Sequence, residues 1–502
     1  MADLPARGDR RLGWPVAAAL TFLAAASVLV LEIAAGRLLA PYVGVSLTTY
    51  TGIIGAILAG IALGAWLGGR AADAFGPRTL LGPSFTLGGL AAIAAVPIVG
   101  VVGAAGLGDG FVAIVTLATV AFVAPAAILS AVGPMIVRAT LTDVATSGSI
   151  VGRLSAIGTV GAITGTFLTG FVLLGLVPTR LLIVAVGVLL VVIGLALTVL
   201  LRDGGGPRIG VLALAALATG GFAFAAPAPC DTESRYYCID VRTDPGDPDG
   251  RTLILDRLTH AHVDLADPTY IRFGYVQRFA DAAGPYLDAL DRPIDVLHLG
   301  GGGFTFPRYI EATRPGARQT VLELDPRILE LAREQLGFTP GPATEVIVGD
   351  ARRSIEELPT DAFDLVVGDA FGGLAVPWHL TTTEFLQEVQ RVLRPGGTYV
   401  MNLIDYPPLG FVRAETATAG RLFGHVAVIS GHATLAGENG GNVVIVATAE
   451  PLDVAAVTAR METWGAASST GILSDPGAVR GFVGDAPILT DDFAPVDQLL
   501  GR

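Results

Sequence analysis

The feature that most constrains this chain is a succession of long apolar runs, almost free of charge, from Trp14 to about Ala226. The hydrocarbon core of a bilayer takes about 20 residues of helix. Cut to that length, the runs predict seven spans: roughly 14–38, 48–68, 80–104, 110–137, 153–177, 180–201 and 208–226. A secretory signal has one short apolar region and does not account for them. Pro125 and Pro134 predict a kink or break in the fourth span. Gly52, Ala56, Gly60, Gly64 and Gly68 recur at every fourth position of the second, with Gly158, Gly161 and Gly165 similar in the fifth. Small residues so spaced let another helix approach closely. Glu32 lies inside the first span near Arg37, and it either pairs with that cation or serves a function.

Charge supplies the orientation. The chain is 52% hydrophobic and only 15% charged, against about 25% charged in soluble proteins. It contains no Lys, so arginines carry all fixed positive side-chain charge. Arg7, Arg10, Arg11, Arg70, Arg78, Arg138, Arg153, Arg202 and Arg208 fall on one side of the predicted spans, and Arg37 and Arg180 on the other. The excess of positive charge places the amino terminus in the cytoplasm. Seven crossings then put the remainder of the chain outside, and six would leave it inside. A net charge of −13 argues against a nucleic-acid partner. Two cysteines exclude a Cys-rich metal site, and no metal is expected.

From Asp231 onward the pattern is that of a water-soluble α/β domain. Ile294–Leu299 reads as a buried strand, followed by Gly300, Gly301, Gly302 and Gly303 and then a helix start. Strand, glycine-rich turn and helix open a nucleotide-binding doubly wound sheet. Thr320–Leu324 is a second strand that ends in Glu323 and Asp325, about 20 residues on, where an acid can accept ribose hydroxyls. Glu345–Asp350 and Phe363–Asp369 are further strands ending in acids, and Thr398–Leu403 is a fifth strand. Asp325 and Asp350 also suit a plain helix-capping role.

These motifs carry a family resemblance. From about Ser234 to Leu403 the chain resembles the spermidine synthase (polyamine aminopropyltransferase) family, a branch of the class I methyltransferase-like Rossmann-type fold. With the apolar half included, it is similar to bacterial fused membrane-anchored spermidine synthase-like proteins. The resemblance rests on Leu299-Gly-Gly-Gly-Gly303, Glu323-Leu-Asp325, Gly349-Asp-Ala351 and Asp364-Leu-Val-Val-Gly-Asp369. Thr252–Asp256, Asp264–Tyr270 and the closing Leu489–Asp497 add to it. It implies a multi-pass domain over 1–226, a β-rich lead-in over 227–290 and a nucleoside-binding domain over 291–502.

The implied chemistry is aminopropyl transfer from decarboxylated S-adenosylmethionine to an amine or polyamine. Asp369 matches the catalytic acid. Gly300, Gly301, Gly302, Glu323, Asp350 and Ala351 would hold the adenosyl group, with Glu323 on the ribose and Asp350 on the adenine. Tyr270 and Tyr237 fall nearest the family's amine-side positions. The bilayer would be the environment, and a homodimer is allowed. The amine side departs from the family pattern. Asp369-Ala-Phe-Gly372 lacks the usual second acid, Tyr270-Ile-Arg272 ends in Arg where an acid is usual, and Gly303 replaces an acid. The alternatives are therefore an S-adenosylmethionine methyltransferase on the same fold, or a non-catalytic membrane transporter that binds polyamine or nucleoside. A disulfide between Cys230 and Cys238 would fit an extracytoplasmic position, whereas adenosyl sulfonium donors are cytosolic. Six spans, free thiols or a different substrate would each resolve that conflict.

Overall fold

A computed structural model describes residues 12–106, 108, 110–141, 147–201, 221 and 228–501. The chain divides into two compact units, Met1–Cys238 and Ile239–Arg502.

Among its described residues, the first unit contains six helices long and apolar enough to cross a membrane. They are α1 (Trp14–Val43), α2 (Leu47–Phe75), α3 (Pro77–Ala104), α4 (Phe111–Thr140), α5 (Ser147–Leu176) and α6 (Thr179–Leu200). The expected seventh span, 208–226, lies outside the described residues save Gly221. Without water to bond the backbone, helices are the structures such a sequence can form in a bilayer. The glycine stripe of α2 faces α4. A Cβ at Gly60 would meet the Val123 carbonyl at 2.9 Å, and one at Gly68 would lie 2.5 Å from Ala131 Cα. Gly161 and Gly165 of α5 press likewise on the backbone of α1 at Phe22 and Ala26. Close packing accounts for both stripes. The fourth span is interrupted as its prolines predict. A π-helical turn over Thr119–Val123 immediately precedes the segment that holds Pro125, where the missing N–H would break a regular ladder. Arg37 donates to the carbonyls of Ser234, at 3.0 Å, and Tyr236. Cys230 and Cys238 are joined by a disulfide.

The second unit begins with an antiparallel meander, β1 (Cys238–Asp244), β2 (Asp247–Leu255) and β3 (Leu258–Asp264). Helix α7 (Gly274–Asp288) leads into the α/β part. There follow β4 (Asp295–Leu299), α8 (Thr305–Thr313), β5 (Arg318–Glu323), α9 (Pro326–Gln335), β6 (Thr344–Val348), α10 (Ala351–Glu356) and β7 (Phe363–Gly368). Then come α11 (Thr383–Val392), β8 (Leu393–Asp405), α12 (Gly410–Ala419), β9 (His425–Gly431), β10 (Gly441–Thr448), α13 (Val454–Thr463) and β11 (Thr470–Leu473). The eight strands form one mixed sheet in the order β11-β9-β10-β8-β7-β4-β5-β6. Strands β4 to β8 run parallel, and β9, β10 and β11 join by antiparallel pairing. This is the expected methyltransferase-like Rossmann fold.

Both faces of the sheet are buried, which is why its central strands read as unbroken apolar runs. Side chains alternate between two cores, as a strand's period of two requires. Leu297, Val366 and Met401 enter the core beneath α10, α11 and α12. Val296, Leu365, Val367 and Val400 enter the core beneath α7, α8 and α13. The order β5-β4-β7 reverses the chain's progress between β4 and β7. Ligands bind at such switch points, outside the carboxyl ends of the strands.

One group breaks the apolar rule. Glu415 of α12 is fully buried, and neither carboxyl oxygen has a hydrogen-bond partner among the described residues. Burial pushes its pKa well above the ordinary carboxylate range, so the folded protein holds a proton that the unfolded chain releases. Its contribution to stability is full below the unfolded pKa and falls as pH rises toward the folded one. Thermal unfolding of the full chain in detergent should therefore show a stability loss with rising pH, at most about 1.4 kcal/mol per unit from this group. Glu415→Gln should flatten that slope.

Candidate active site

The site forms where the loops after β4, β5, β6 and β7 meet. Leu299 pairs with Leu322 on one side and Gly368 on the other, so their carboxyl ends are level. Gly300 adopts φ +98°, and a Cβ there would lie 2.5 Å from the Asp369 carbonyl. Glycine is required at this position for both conformation and space. Gly302 also has positive φ, +49°, but nothing lies within 4 Å of its Cβ position.

Glu323 ends β5 and is 5% exposed. Its Oε2 accepts from the N–H groups of Gly301, at 2.8 Å, and Gly302, at 3.2 Å. Its Oε1 accepts from Asp325 N at 2.8 Å. Burial raises its pKa, and these three donors oppose the rise. Asp325 caps α9 through Arg327 N, 3.0 Å away. Asp350 caps α10 through Arg352 N at 2.8 Å, and His379 Nε2 lies 3.1 Å from its other oxygen. Ala351, buried, is the first residue of α10. The fold thus brings Gly300, Gly301, Gly302, Glu323, Asp350 and Ala351 to one edge of the sheet. It uses two of the acids as caps at the same time.

Asp369 opens onto a cavity of about 310 Å³ bounded by the glycine loop, β3, α7, β8 and β10. Tyr275 Oη donates to its Oδ2 at 3.2 Å, and Asn402 Nδ2 donates to its Oδ1 at 3.0 Å. Asn442 Nδ2 in turn donates to Asn402 Oδ1 at 3.1 Å, which fixes the orientation of the Asn402 amide. Desolvation pushes Asp369 up to about 6, against the lowering effect of the two donors. His260 and His298, which also line the cavity, are pushed down to about 4 by burial. Both are neutral near neutral pH.

Two expected amine-side residues lie elsewhere. Tyr270 is 46% exposed, packs edge-on to His262 and does not line the cavity. Tyr237 belongs to the first unit, where its N–H donates to Ser234 Oγ at 2.9 Å. Tyr275, in the first turn of α7, is the tyrosine that touches Asp369. Asn402 carried a readable signal, a lone amide in the apolar run Thr398–Leu403. Asn442 had none, because only the antiparallel pairing of β10 with β8 brings it there.

Comparison with known proteins finds similarity over the α/β part. A methyltransferase domain family matches residues 296–397. A polyamine aminopropyltransferase of Vibrio vulnificus is 33% identical over 135 residues, 26% of this chain and 44% of that protein. An eEF1A lysine and N-terminal methyltransferase of Danio rerio is 31% identical over 123 residues, 23% of this chain and 18% of that protein. The chain thus spans about half or less of the length of these curated relatives. A crystal structure of a probable spermidine synthase from Corynebacterium glutamicum is 28% identical, covering 52% of this chain and 95% of its own, with a TM-score of 0.49. The second unit has a methyltransferase-type α/β fold and is similar in sequence to a polyamine aminopropyltransferase over 135 residues. Six long apolar helices precede it among the described residues.

Gly300→Ala should destabilise the protein by about 1–3 kcal/mol, the cost of a strained backbone. Gly302→Ala, with open space at its Cβ, should cost less. Melting curves of the two variants check this ranking.

Proposed function

We propose that the second unit transfers an aminopropyl group from decarboxylated S-adenosylmethionine to an amine, with Asp369 as base. Asp369 carries the reading: a desolvated carboxyl, poised near 6, beside a glycine loop at a topological switch point. The acceptor nitrogen would attack the methylene next to the sulfonium. The C–N bond forms, the C–S bond breaks with its electron pair passing to sulfur, and 5′-methylthioadenosine leaves. An attacking amine must be neutral, whereas free amines are mostly protonated at neutral pH. Asp369 would orient the ammonium and take its proton, and a base with a pKa near the operating pH suits that step. Glu323 and the glycine loop would hold the ribose, Asp350 the adenine, and Tyr275 and Asn402 would fix the base. Proximity and alignment supply the remaining gain.

Asp369→Asn should cost about 10²–10⁴-fold in rate, the usual worth of a general base. The wild-type rate should rise with pH through about 6 as Asp369 ionises. Methyl transfer is the second reading, supported by the match to the Danio rerio methyltransferase and by a cavity lined by a single acid. Calorimetric titration with the two adenosyl donors separates them: preference for the decarboxylated form supports aminopropyl transfer, and preference for ordinary S-adenosylmethionine supports methyl transfer. Binding of neither supports a non-catalytic role.

We further infer a multi-pass membrane protein with a cytoplasmic amino terminus and the second unit outside, a placement that requires the adenosyl donor to be supplied on that side of the bilayer. The arginine distribution supports the first part, and the Cys230–Cys238 disulfide supports the second. This reading requires the 208–226 segment to cross. In intact cells, a thiol-reactive polymer that cannot cross the membrane should label the protein only after reduction. Labelling that appears only once the cells are lysed, without reduction, would place the second unit in the cytoplasm.

A further inference from the structure

We infer that the acceptor is a small primary amine with one ammonium and an apolar remainder, not a diamine. The inference rests on the transferase reading above and names the substrate class for the same cavity. The titratable side chains lining that cavity are His260, Arg272, Tyr275, His298 and Asp369. Asp369 is the one carboxylate among them. The histidines are neutral, and Arg272 is itself a cation. A buried ammonium needs a carboxylate or pays the full cost of its lost hydration.

The nearby acids are already engaged. Asp244 accepts from Thr252 at 2.7 Å and pairs with His262 and Arg272. Glu323 is turned to the N–H groups of Gly301, Gly302 and Asp325. A linear diamine anchored at Asp369 would set its second ammonium against apolar walls such as Phe273, Val276, Phe371 and Ile404, against neutral amides, or toward Arg272. The first two supply no counter-charge, and the third repels it. The decarboxylated donor already brings a sulfonium and a propylammonium, so a further cation enlarges the deficit. An alkyl remainder meets the same walls favourably.

The test uses the full chain in detergent with decarboxylated S-adenosylmethionine and compares butylamine with 1,4-diaminobutane. We expect kcat/KM for butylamine to exceed that for the diamine by about tenfold or more, corresponding to 1.4 kcal/mol. Ile404→Asp places a second carboxylate in the wall and should narrow or reverse that ratio. A wild-type preference for the diamine would overturn the inference and leave the transferase reading standing. No transfer to either amine, from a protein that binds the donor, would overturn the transferase reading and the acceptor class with it.

Discussion

The site depends on how one buried carboxylate is satisfied. Glu323 sits at the end of β5 out of contact with bulk water, where an ionised acid without donors would be costly. Its donors come from two places: the glycine loop after β4 and the backbone that starts α9. Satisfying Glu323 therefore joins two neighbouring loops and gives the glycine turn its shape. The same turn lets β4 and β7 approach so closely that Asp369 is presented at the switch point. The glycine turn and the setting of Asp369 thus share one set of backbone hydrogen bonds.

The fold was legible because its signals are local. Apolar runs of helix length, a glycine cluster after a strand and acids at regular spacing each arise within a few residues. The same locality explains the acids at strand ends, whose positions follow from strand length alone. The surroundings of Asp369 were less legible because they are assembled over long distances. Asp369 is contacted from α7, 94 residues earlier, and from β8, 33 residues later. Tyr270 drew attention through its neighbours in sequence, yet the chain turns into α7 before the tyrosine that reaches Asp369. Asn442 could not be found without knowing that β10 runs antiparallel beside β8.

The two halves of the chain solve backbone burial in different ways. In the first unit, hydrogen bonds are satisfied within each helix, and glycines such as Gly64 and Gly68 bring helices into backbone contact. In the second unit, the bonds run between strands, and layers of helices cover both faces of the sheet. That difference explains why charge is nearly absent from one half and concentrated at strand ends and helix caps in the other.

The contact between Gly300 and the Asp369 carbonyl also bears on how this site can change over evolutionary time. It ties the glycine loop after β4 to the residue that follows β7, so neither can drift without the other. Under the transferase reading, new acceptor preferences would come from the opposite wall, from β3, the start of α7 and the side chains of β8 and β10. Those surfaces can exchange residues while the glycine turn and Asp369 keep their spacing. The cavity is in effect a constant half facing an interchangeable half.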